Sequence, residues 1–342
     1  VESPVTQQTN SLKSDLTAIV DRFNGQKLMV IGDLIADIYL EGKISRISRE
    51  APVLILEYAG ETVVPGGAAN VMNNVAALGG QVIAVGVIGA DSPGTQILKL
   101  LQEQQINTTG LYREVNRPTV TKTRVIAGGI AAVTQQVVRI DRAAKAPLAP
   151  AAEARLMAAI ETQIPQVKAV ILSDYGYQCI TPTIREQTIA RCRAANIPCS
   201  VDSRYAIRAF KGVNIAKQNE LELAAAVGYP LNDEATLLRA GRELLGFLEA
   251  ETLMITRGPE GITLFGREDP VVQIPVTNAS EVFDVSGAGD TVVAVMMLAI
   301  AAGASRVDAA RLANYAAGIV VRKLGTATTN PVELKQALGG DA

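Results

Sequence analysis

Histidine is absent from the whole 342-residue chain. That gap excludes Ser-His-Asp triads, His-Glu-x-x-His metal sites and every imidazole acid or base, so proton transfer falls to carboxylates, Lys, Tyr or Cys. Cysteine is scarce: Cys179, Cys192 and Cys199 are an odd set without Cys-x-x-Cys spacing, which suggests neither a disulfide framework nor a thiolate zinc site. Charge of one sign is lacking, because 32 Lys+Arg face 34 Asp+Glu for a net −2. No bulk field recruits a polyanion, and neither a nucleic acid nor a membrane is expected as partner. No run of about 20 apolar residues is free of charges or breakers. Residues 1 to 26 are polar, without the basic flank and apolar stretch of a signal peptide, so the expected location is the cytoplasm. The sequons at Asn107 and Asn278 then read as polar loop composition. No glycine-rich loop ends in Gly-Lys-Ser/Thr, which excludes P-loop chemistry, and no Gly-x-Gly-x-x-Gly follows the first strand, which argues against a nicotinamide dehydrogenase.

What is present is a chain of 48% hydrophobic residues with 29 glycines, enough for one large core. A polar tail and an amphipathic helix near 11 to 23 precede Leu28-Met29-Val30-Ile31-Gly32-Asp33, a β-branched run that reads as a buried strand. Strand and helix patterns then alternate: 82 to 87 and 95 to 104, 169 to 172 and 182 to 195, 199 to 201, 253 to 256, and an apolar helix from Gly289. This predicts an α/β domain over 27 to 338, with a mostly parallel sheet covered by helices on both faces. Two β-rich segments, at about 38 to 64 and 117 to 140, do not fit inside such a sheet and are expected to form a small β-sheet lid. The lid's exposed face could pair with a second subunit.

The strongest local signal is Asp284-Val285-Ser286-Gly287-Ala288-Gly289-Asp290-Thr291 before an apolar helix. Its glycines permit a tight bend at a helix start, where unpaired N–H groups and the macrodipole favour an anion. A transferring phosphoryl group suits that cradle, with Asp290 placed to take a proton from an attacking hydroxyl. A plain strand-to-helix turn capped by Asp290 or Thr291 fits the same residues.

Pro65-Gly66-Gly67-Ala68-Ala69-Asn70 opens a second helix and offers close backbone approach beside a side chain that both donates and accepts, as sugar hydroxyls require. A glycine-capped helix is the bland alternative. Asp33 and Asp37 follow the first strand, where open α/β sheets bind ligands; they could fix hydroxyls in pairs or be turn acids. Asn219 and Glu222 are as compatible with a helix cap as with holding Mg²⁺ through water. Thr256-Arg257-Gly258 follows an apolar strand, where a nucleotide phosphate could lie.

In this order the motifs resemble the ribokinase-like, or PfkB, sugar kinase family from about residue 27 to 338. Residues 44 to 53 (Ile-Ser-Arg-Ile-Ser-Arg-Glu-Ala-Pro-Val), 135 to 141 and 172 to 175 are similar to its D-glycero-β-D-manno-heptose-7-phosphate kinase branch. The resemblance implies a ribokinase-like fold and a sugar site of Asp33, Asp37, Gly66, Gly67 and Asn70 closed by the lid. It makes Asp290 the catalytic base and the backbone of Gly287, Ala288 and Gly289 an anion hole. Asn219 and Glu222 would organise Mg²⁺, while Asn219, Thr256, Gly258, Gly261, Gly287, Gly289 and Asn314 would border ATP. A monovalent cation is a further candidate cofactor, and branch members are often dimers that share lid strands. The lid bases Lys122, Arg124 and Arg139, with Lys43 and Arg46, are available to a phosphate already on the sugar, or are a solvated face.

The chain departs from the branch at Gly176-Tyr177-Gln178 (usually Ala-Lys-Gly), at Ser203-Arg204 (usually Pro-Lys) and at Lys217-Gln218 before Asn219 (usually Thr-Pro). These changes bear on substrate choice, and Arg204 replaces a lysine charge only in part. The expected reaction is phosphoryl transfer from ATP to a sugar hydroxyl. A family kinase for fructose phosphate, ribose or a nucleoside, or a silent sugar or nucleotide sensor, are the alternatives. The nucleotidyltransferase domain of bifunctional relatives is not expected here.

Overall fold

Residues Leu28 to Ile31 are all fully buried, as a strand covered on both faces requires. Leu28 and Val30 point into one hydrophobic cluster, Met29 and Ile31 into another, so the two-residue period of a strand divides the core into two layers. The computed structural model describes residues 4–129, 132–144, 146–276 and 282–339; the sequon at Asn278 lies outside them.

Helix α1 (Pro4–Asp21) leads into β1 (Lys27–Gly32), followed by the hairpin β2 (Leu34–Ile47) and β3 (Leu54–Gly67) and by α2 (Ala68–Ala77). Next come β4 (Gln81–Gly89), α3 (Ser92–Glu103), β5 (Asn107–Glu114), and a second hairpin of β6 (Val120–Gly129) and β7 (Ala132–Arg142). The middle of the chain alternates α4 (Pro150–Gln163), β8 (Ala169–Asp174), α5 (Pro182–Ala194), β9 (Cys199–Ser203), β10 (Ile215–Asn219), α6 (Glu220–Val227), α7 (Glu234–Leu248) and β11 (Thr252–Thr256). The strands β12 (Ile262–Gly266) and β13 (Val272–Ile274) precede α8 (Ala288–Ala301), α9 (Arg306–Val320) and α10 (Pro331–Gly339).

Nine strands form one sheet in the order β13-β12-β11-β10-β9-β8-β1-β4-β5. Those from β11 to β5 pair in parallel, and β12 and β13 close one edge antiparallel. Helices α1, α2, α8, α9 and α10 contribute to one core layer and α4, α5, α6 and α7 to the other. The α/β class and the mostly parallel sheet are as expected from the alternating pattern. The second sheet is also present, in the order β3-β2-β6-β7. Its central pair, β2 with β6, is parallel, and each outer pair is antiparallel.

Three local readings are corrected. The first helix begins at Pro4 instead of near residue 11, and its buried side, Leu16, Ile19 and Val20, continues to Phe23 beyond its end. Asn107 opens β5 instead of lying in a loop. The antiparallel edge of β12 and β13 was not anticipated, because a five-residue and a three-residue strand carry little periodicity.

One packing contact tests this arrangement. Gly241 in α7 faces the fully buried Phe265 of β12, and a Cβ there would fall within contact distance of three ring atoms. Gly241→Ala should therefore destabilise the fold by about 1–3 kcal/mol, overpacking outweighing the roughly 1 kcal/mol gain in helix propensity. Urea unfolding should show a lower midpoint at unchanged slope.

Candidate active site

The carboxyl ends of the parallel strands bring the chemistry-bearing residues to one edge. Asp33 follows β1, Tyr175 follows β8, Asp202 lies in β9, Lys217 and Asn219 in β10, and Thr256 in β11. This is the edge at which open α/β sheets bind ligands. Against it stands the N-terminus of α8, a helix whose residues from Asp290 to Ala299 are all buried. A helix apolar on every side has no solvent face, so its start is held firmly.

Gly287 is the N-cap, at φ +79°, and no side chain caps the helix. A Cβ on Gly287 would lie 2.6 Å from Asn70 Nδ2, so glycine here serves both the left-handed bend and the close approach of α2. The first-turn amides have no intrahelical acceptor. Ala288 N–H is taken by the Val285 carbonyl at 3.2 Å, which leaves Gly287 and Gly289 as the amides of the expected anion hole best placed to serve an anion. Ser286 to Gly289 are half-buried and reachable from solvent.

Asp290, buried to 4% exposure, has both carboxylate oxygens engaged by side chains far away in sequence. Asn70 Nδ2 donates to Oδ2 at 2.8 Å and the Tyr175 hydroxyl donates to Oδ1 at 2.7 Å. Asn70 is fixed in turn: Asn74 Nδ2 donates to its Oδ1 at 3.1 Å and to its carbonyl at 2.9 Å, while Thr291 Oγ1 donates to Asn74 Oδ1 at 2.9 Å. Burial is the main cause that pushes the Asp290 carboxyl up to about 6, helped by the charge of Asp202 and opposed by the donors Asn70 and Tyr175 and by Lys217. A carboxyl titrating there acts as a base near neutral pH, the role imidazole would otherwise fill.

Lys217 is a buried cation beside this turn. Its Nζ lies 2.8 Å from Asp202 Oδ2, and a Cβ on Gly289 would meet it at 2.8 Å. Burial alone would lower the Lys217 pKa, but Asp202, Glu222 and Asp290 outweigh it and raise it. The ammonium therefore stays charged next to the glycine turn.

Asp33 is oriented by the backbone of the segment that follows β8. Its carboxylate accepts from the backbone N–H groups of Tyr175 at 2.9 Å, Tyr177 at 3.0 Å and Cys179 at 3.0 Å. Burial pushes it up to about 6 against those donors. Asp37 is held by Arg124 Nη1 at 2.6 Å. Gly66 and Gly67 join the hairpin to α2; Gly67 has φ +56°, and a Cβ there would lie 2.6 Å from the Asp33 carbonyl.

The lid bases share one face, in rows set by strand register. Asp37 stands opposite Lys122 and Lys122 opposite Asp141; Tyr39 stands opposite Arg124 and Arg124 opposite Arg139. Lys122 Nζ lies 5.0 Å from the centroid of the Tyr175 ring, and burial lowers its pKa. Arg139 donates to Asp141 through Nε and Nη2, at 2.9 and 3.0 Å. Of the expected phosphate ligands, Arg124 and Arg139 are each paired with an acid, whereas Lys122, Lys43 and Arg46 have none inside ion-pair distance among the described residues.

Of the residues expected to border ATP and Mg²⁺, Asn219 and Glu222 form a reciprocal capping box at the start of α6: Asn219 Oδ1 accepts from Glu222 N, and Glu222 Oε2 accepts from Asn219 N, both at 2.8 Å. One oxygen of each side chain thus accepts a backbone N–H of the helix start. Among the described residues no group of three or more Asp, Glu, Cys or His is assembled to hold a metal. Thr256 Oγ1 lies 3.4 Å from the Gln218 carbonyl. Gly258, at φ +54°, has open space where a Cβ would be, whereas Gly261, at φ +83°, is packed against the Ile274 and Pro275 backbone. Asn314 Nδ2 donates to the Pro275 carbonyl at 2.8 Å and so ties α9 to the exit of β13.

Three participants escaped sequence reasoning: Asn74, the Asp202–Lys217 pair, and Tyr175 as a partner of Asp290. A faint signal existed for the first, since Asn70 and Asn74 share a helix face four residues apart and Thr291 directly follows Asp290.

Residues 25–333 match the model of the pfkB family of carbohydrate kinases. The bifunctional protein HldE of Geobacter metallireducens is 42% identical over 312 residues, covering 91% of this chain and 62% of its own length. That of Trichlorobacter lovleyi is 40% identical over 322 residues, 94% of this chain and 64% of its own. The chain thus spans under two thirds of these relatives. Among solved structures, Arabidopsis thaliana ribokinase complexed with ribose and ATP superposes with a TM-score of 0.73 at 21% identity, covering 92% of this chain and 99% of that one. Phosphofructokinase-2 from Escherichia coli in complex with substrates and products gives 0.74 at 20% identity, with the same coverage. These two likenesses give the ribokinase-like fold, and the family match with the HldE relatives gives membership: the chain belongs to the pfkB family of carbohydrate kinases, phosphotransferases that act on a sugar hydroxyl.

Proposed function

We propose that this kinase transfers the γ-phosphoryl group of ATP to the anomeric hydroxyl of D-glycero-β-D-manno-heptose 7-phosphate, yielding the 1,7-bisphosphate. One observation carries the reading: a buried carboxylate pushed up to about 6 lies in the first turn of a helix whose glycine-rich start is open to solvent. In the proposed step the sugar hydroxyl gives its proton to Asp290 as its oxygen bonds to the γ-phosphorus. The bond to the ADP oxygen breaks, and charge on the equatorial oxygens falls near the Gly287 and Gly289 amides, the α8 dipole and Lys217.

The heptose reading is supported by the branch-like segments 44 to 53, 135 to 141 and 172 to 175 and by the 42% identity to an HldE protein. Lys122, and Arg124 or Arg139 on leaving its acid, would receive the 7-phosphate, while Asp33, Asp37, Gly66, Gly67 and Asn70 border the sugar. ATP would lie along Asn219, Thr256, Gly258, Gly261 and Asn314. The donor set suits Mg²⁺ held by Glu222 through water and by nucleotide phosphates, since a protein cage is lacking among the described residues; the ion would neutralise phosphate charge. A monovalent cation belongs to the same reading, as does the cytoplasm; no helix among the described residues is long and apolar enough to cross a membrane.

The lid also supports a homodimer. Ile44, Ile47, Leu54, Tyr58, Val138 and Ile140 are exposed large apolar residues on its strands, more clustered than scattered surface apolar residues usually are.

Three measurements test the proposal. ATP turnover should be highest with heptose 7-phosphate in a panel with fructose 6-phosphate, ribose and nucleosides; preference for an unphosphorylated sugar would remove the 7-phosphate role of the lid. Asp290→Asn should lower turnover by about 10² to 10⁴ and gain stability at neutral pH. Its raised carboxyl favours the fold below about 3.8, and that contribution is lost as pH rises through about 6. Unfolding free energies of variant and parent, from denaturant titrations, should therefore converge near pH 4 and separate by on the order of 3 kcal/mol at pH 8. Ile140→Asp should convert a dimer to a monomer in light scattering; an unchanged mass would place any dimer contact elsewhere.

A further inference from the structure

Both oxygens of the proposed base are occupied by protein donors, yet an acceptor hydroxyl must reach one of them to surrender its proton. The two donors differ in how freely they can leave. Asn70 and Asn74 are fully buried, and Asn70 is tied through Asn74 to Thr291 of the same helix as Asp290. Displacing Asn70 would leave buried amides unpaired, at a cost of about 1–3 kcal/mol for each group. Tyr175 is only partly buried and is followed by Gly176, exposed at φ +79°. Its backbone N–H is pinned to Asp33, so a departure of the phenol would go by rotation about its own side-chain bonds while the main chain stays in place. What lies over the ring is Lys122 of the lid, in cation–π contact.

We infer that Tyr175 is a positioning residue whose phenol holds the place of the acceptor hydroxyl on Asp290 Oδ1, and that sugar binding exchanges one hydroxyl donor for the other. The inference rests on Asp290 being the base, and it holds for any sugar the enzyme accepts. Burial, with the charge of Asp290, raises the Tyr175 pKa well above the ordinary phenol value, so the group remains a donor throughout the working range. The same exchange ties occupancy of the acceptor site to the lid, because Lys122 loses its ring when the phenol leaves. The segment concerned, Tyr175-Gly176-Tyr177-Gln178, is also where the chain departs from the branch pattern.

The test is Tyr175→Phe, assayed with the sugar that turns over best in the panel. Without the competing hydroxyl, the KM for the acceptor should fall by about three- to tenfold. The pH profile separates this exchange from a merely structural role. Charged groups facing Asp290 are Asp202 from β9 and Lys217 from β10, and its polar partners are Asn70 from α2 and Tyr175 from the end of β8. Removing the phenol alone should raise the Asp290 pKa above about 6 in the free enzyme. The acid limb of kcat/KM, which reports the free enzyme, should move to higher pH, and the limb of kcat, which reports the bound complex, should not. Movement of both limbs with a lower kcat would mean that the phenol stays on the base through turnover, and movement of neither would mean that it has no hold on the base; each overturns the inference. Two readouts stand apart from the kinetics. Carbon-13 titration of the Asp carboxyls, in which Asp290→Asn identifies the signal, should show the free-enzyme shift without any sugar; if it does so while no sugar turns over, the substrate reading fails instead. In the unsubstituted protein labelled at its eight tyrosines, adding acceptor with a non-hydrolysable ATP analogue should move the Tyr175 resonance, and a stationary signal would overturn the exchange even if the Phe variant folds poorly.

Discussion

A carboxylate buried at the mouth of an apolar helix is the constraint around which the rest of this molecule is arranged. Asp290 is enclosed where an isolated charge would be expensive, and two side-chain donors make that burial tolerable. One of them, Asn70, must come from a helix packed close against α8, which explains why residue 287 has no room for a side chain. The polar seam of Asn70, Asn74 and Thr291 runs through an otherwise apolar contact between α2 and α8. Every member of it is hydrogen-bonded, so it fixes the register of the two helices without leaving an orphaned polar group.

The sheet supplies the remaining partners by geometry alone. Because β1, β8, β9, β10 and β11 run parallel, their carboxyl ends open on one side, and residues from 33 to 256 meet although the intervening chain is long. Charge alternates along that edge: Asp202, Lys217 and Glu222 lie in sequence around one buried ammonium. A lone lysine there would be driven toward neutrality by burial, and a lone carboxylate toward protonation. Together they keep a fixed positive charge beside the glycine turn.

Those parts of this arrangement that reside in short stretches were legible in the sequence. The alternation of strand and helix, the two β-rich segments and the glycine-rich start of α8 all follow from local spacing, and the structure contains each. The partners of Asp33 were not legible, because they are backbone amides some 142 to 146 positions away. No residue type marks an amide as a ligand, so an acid after a strand looked free for a sugar. Asn219 and Glu222 show the opposite limit: a capping box and a metal pair use the same residue types at the same spacing, and the structure shows the cap. Arg139 looked like a free cation until strand register placed its neighbours, and its bidentate partner is two residues along its own strand.

The absence of histidine gives the hydrogen bonds at Asp290 their particular weight. Burial alone drives this carboxyl toward the protonated form, and each donor that reaches it pulls back toward the ionised one. The carboxyl therefore owes its near-neutral titration to a balance that would shift if a donor were simply lost. In the exchange we infer, a sugar hydroxyl taking the place of the tyrosine hydroxyl would keep the donor count at two. The carboxylate would then remain ionised while the acceptor settles, and proton transfer would wait until the attacking oxygen begins to bond phosphorus and its proton becomes acidic.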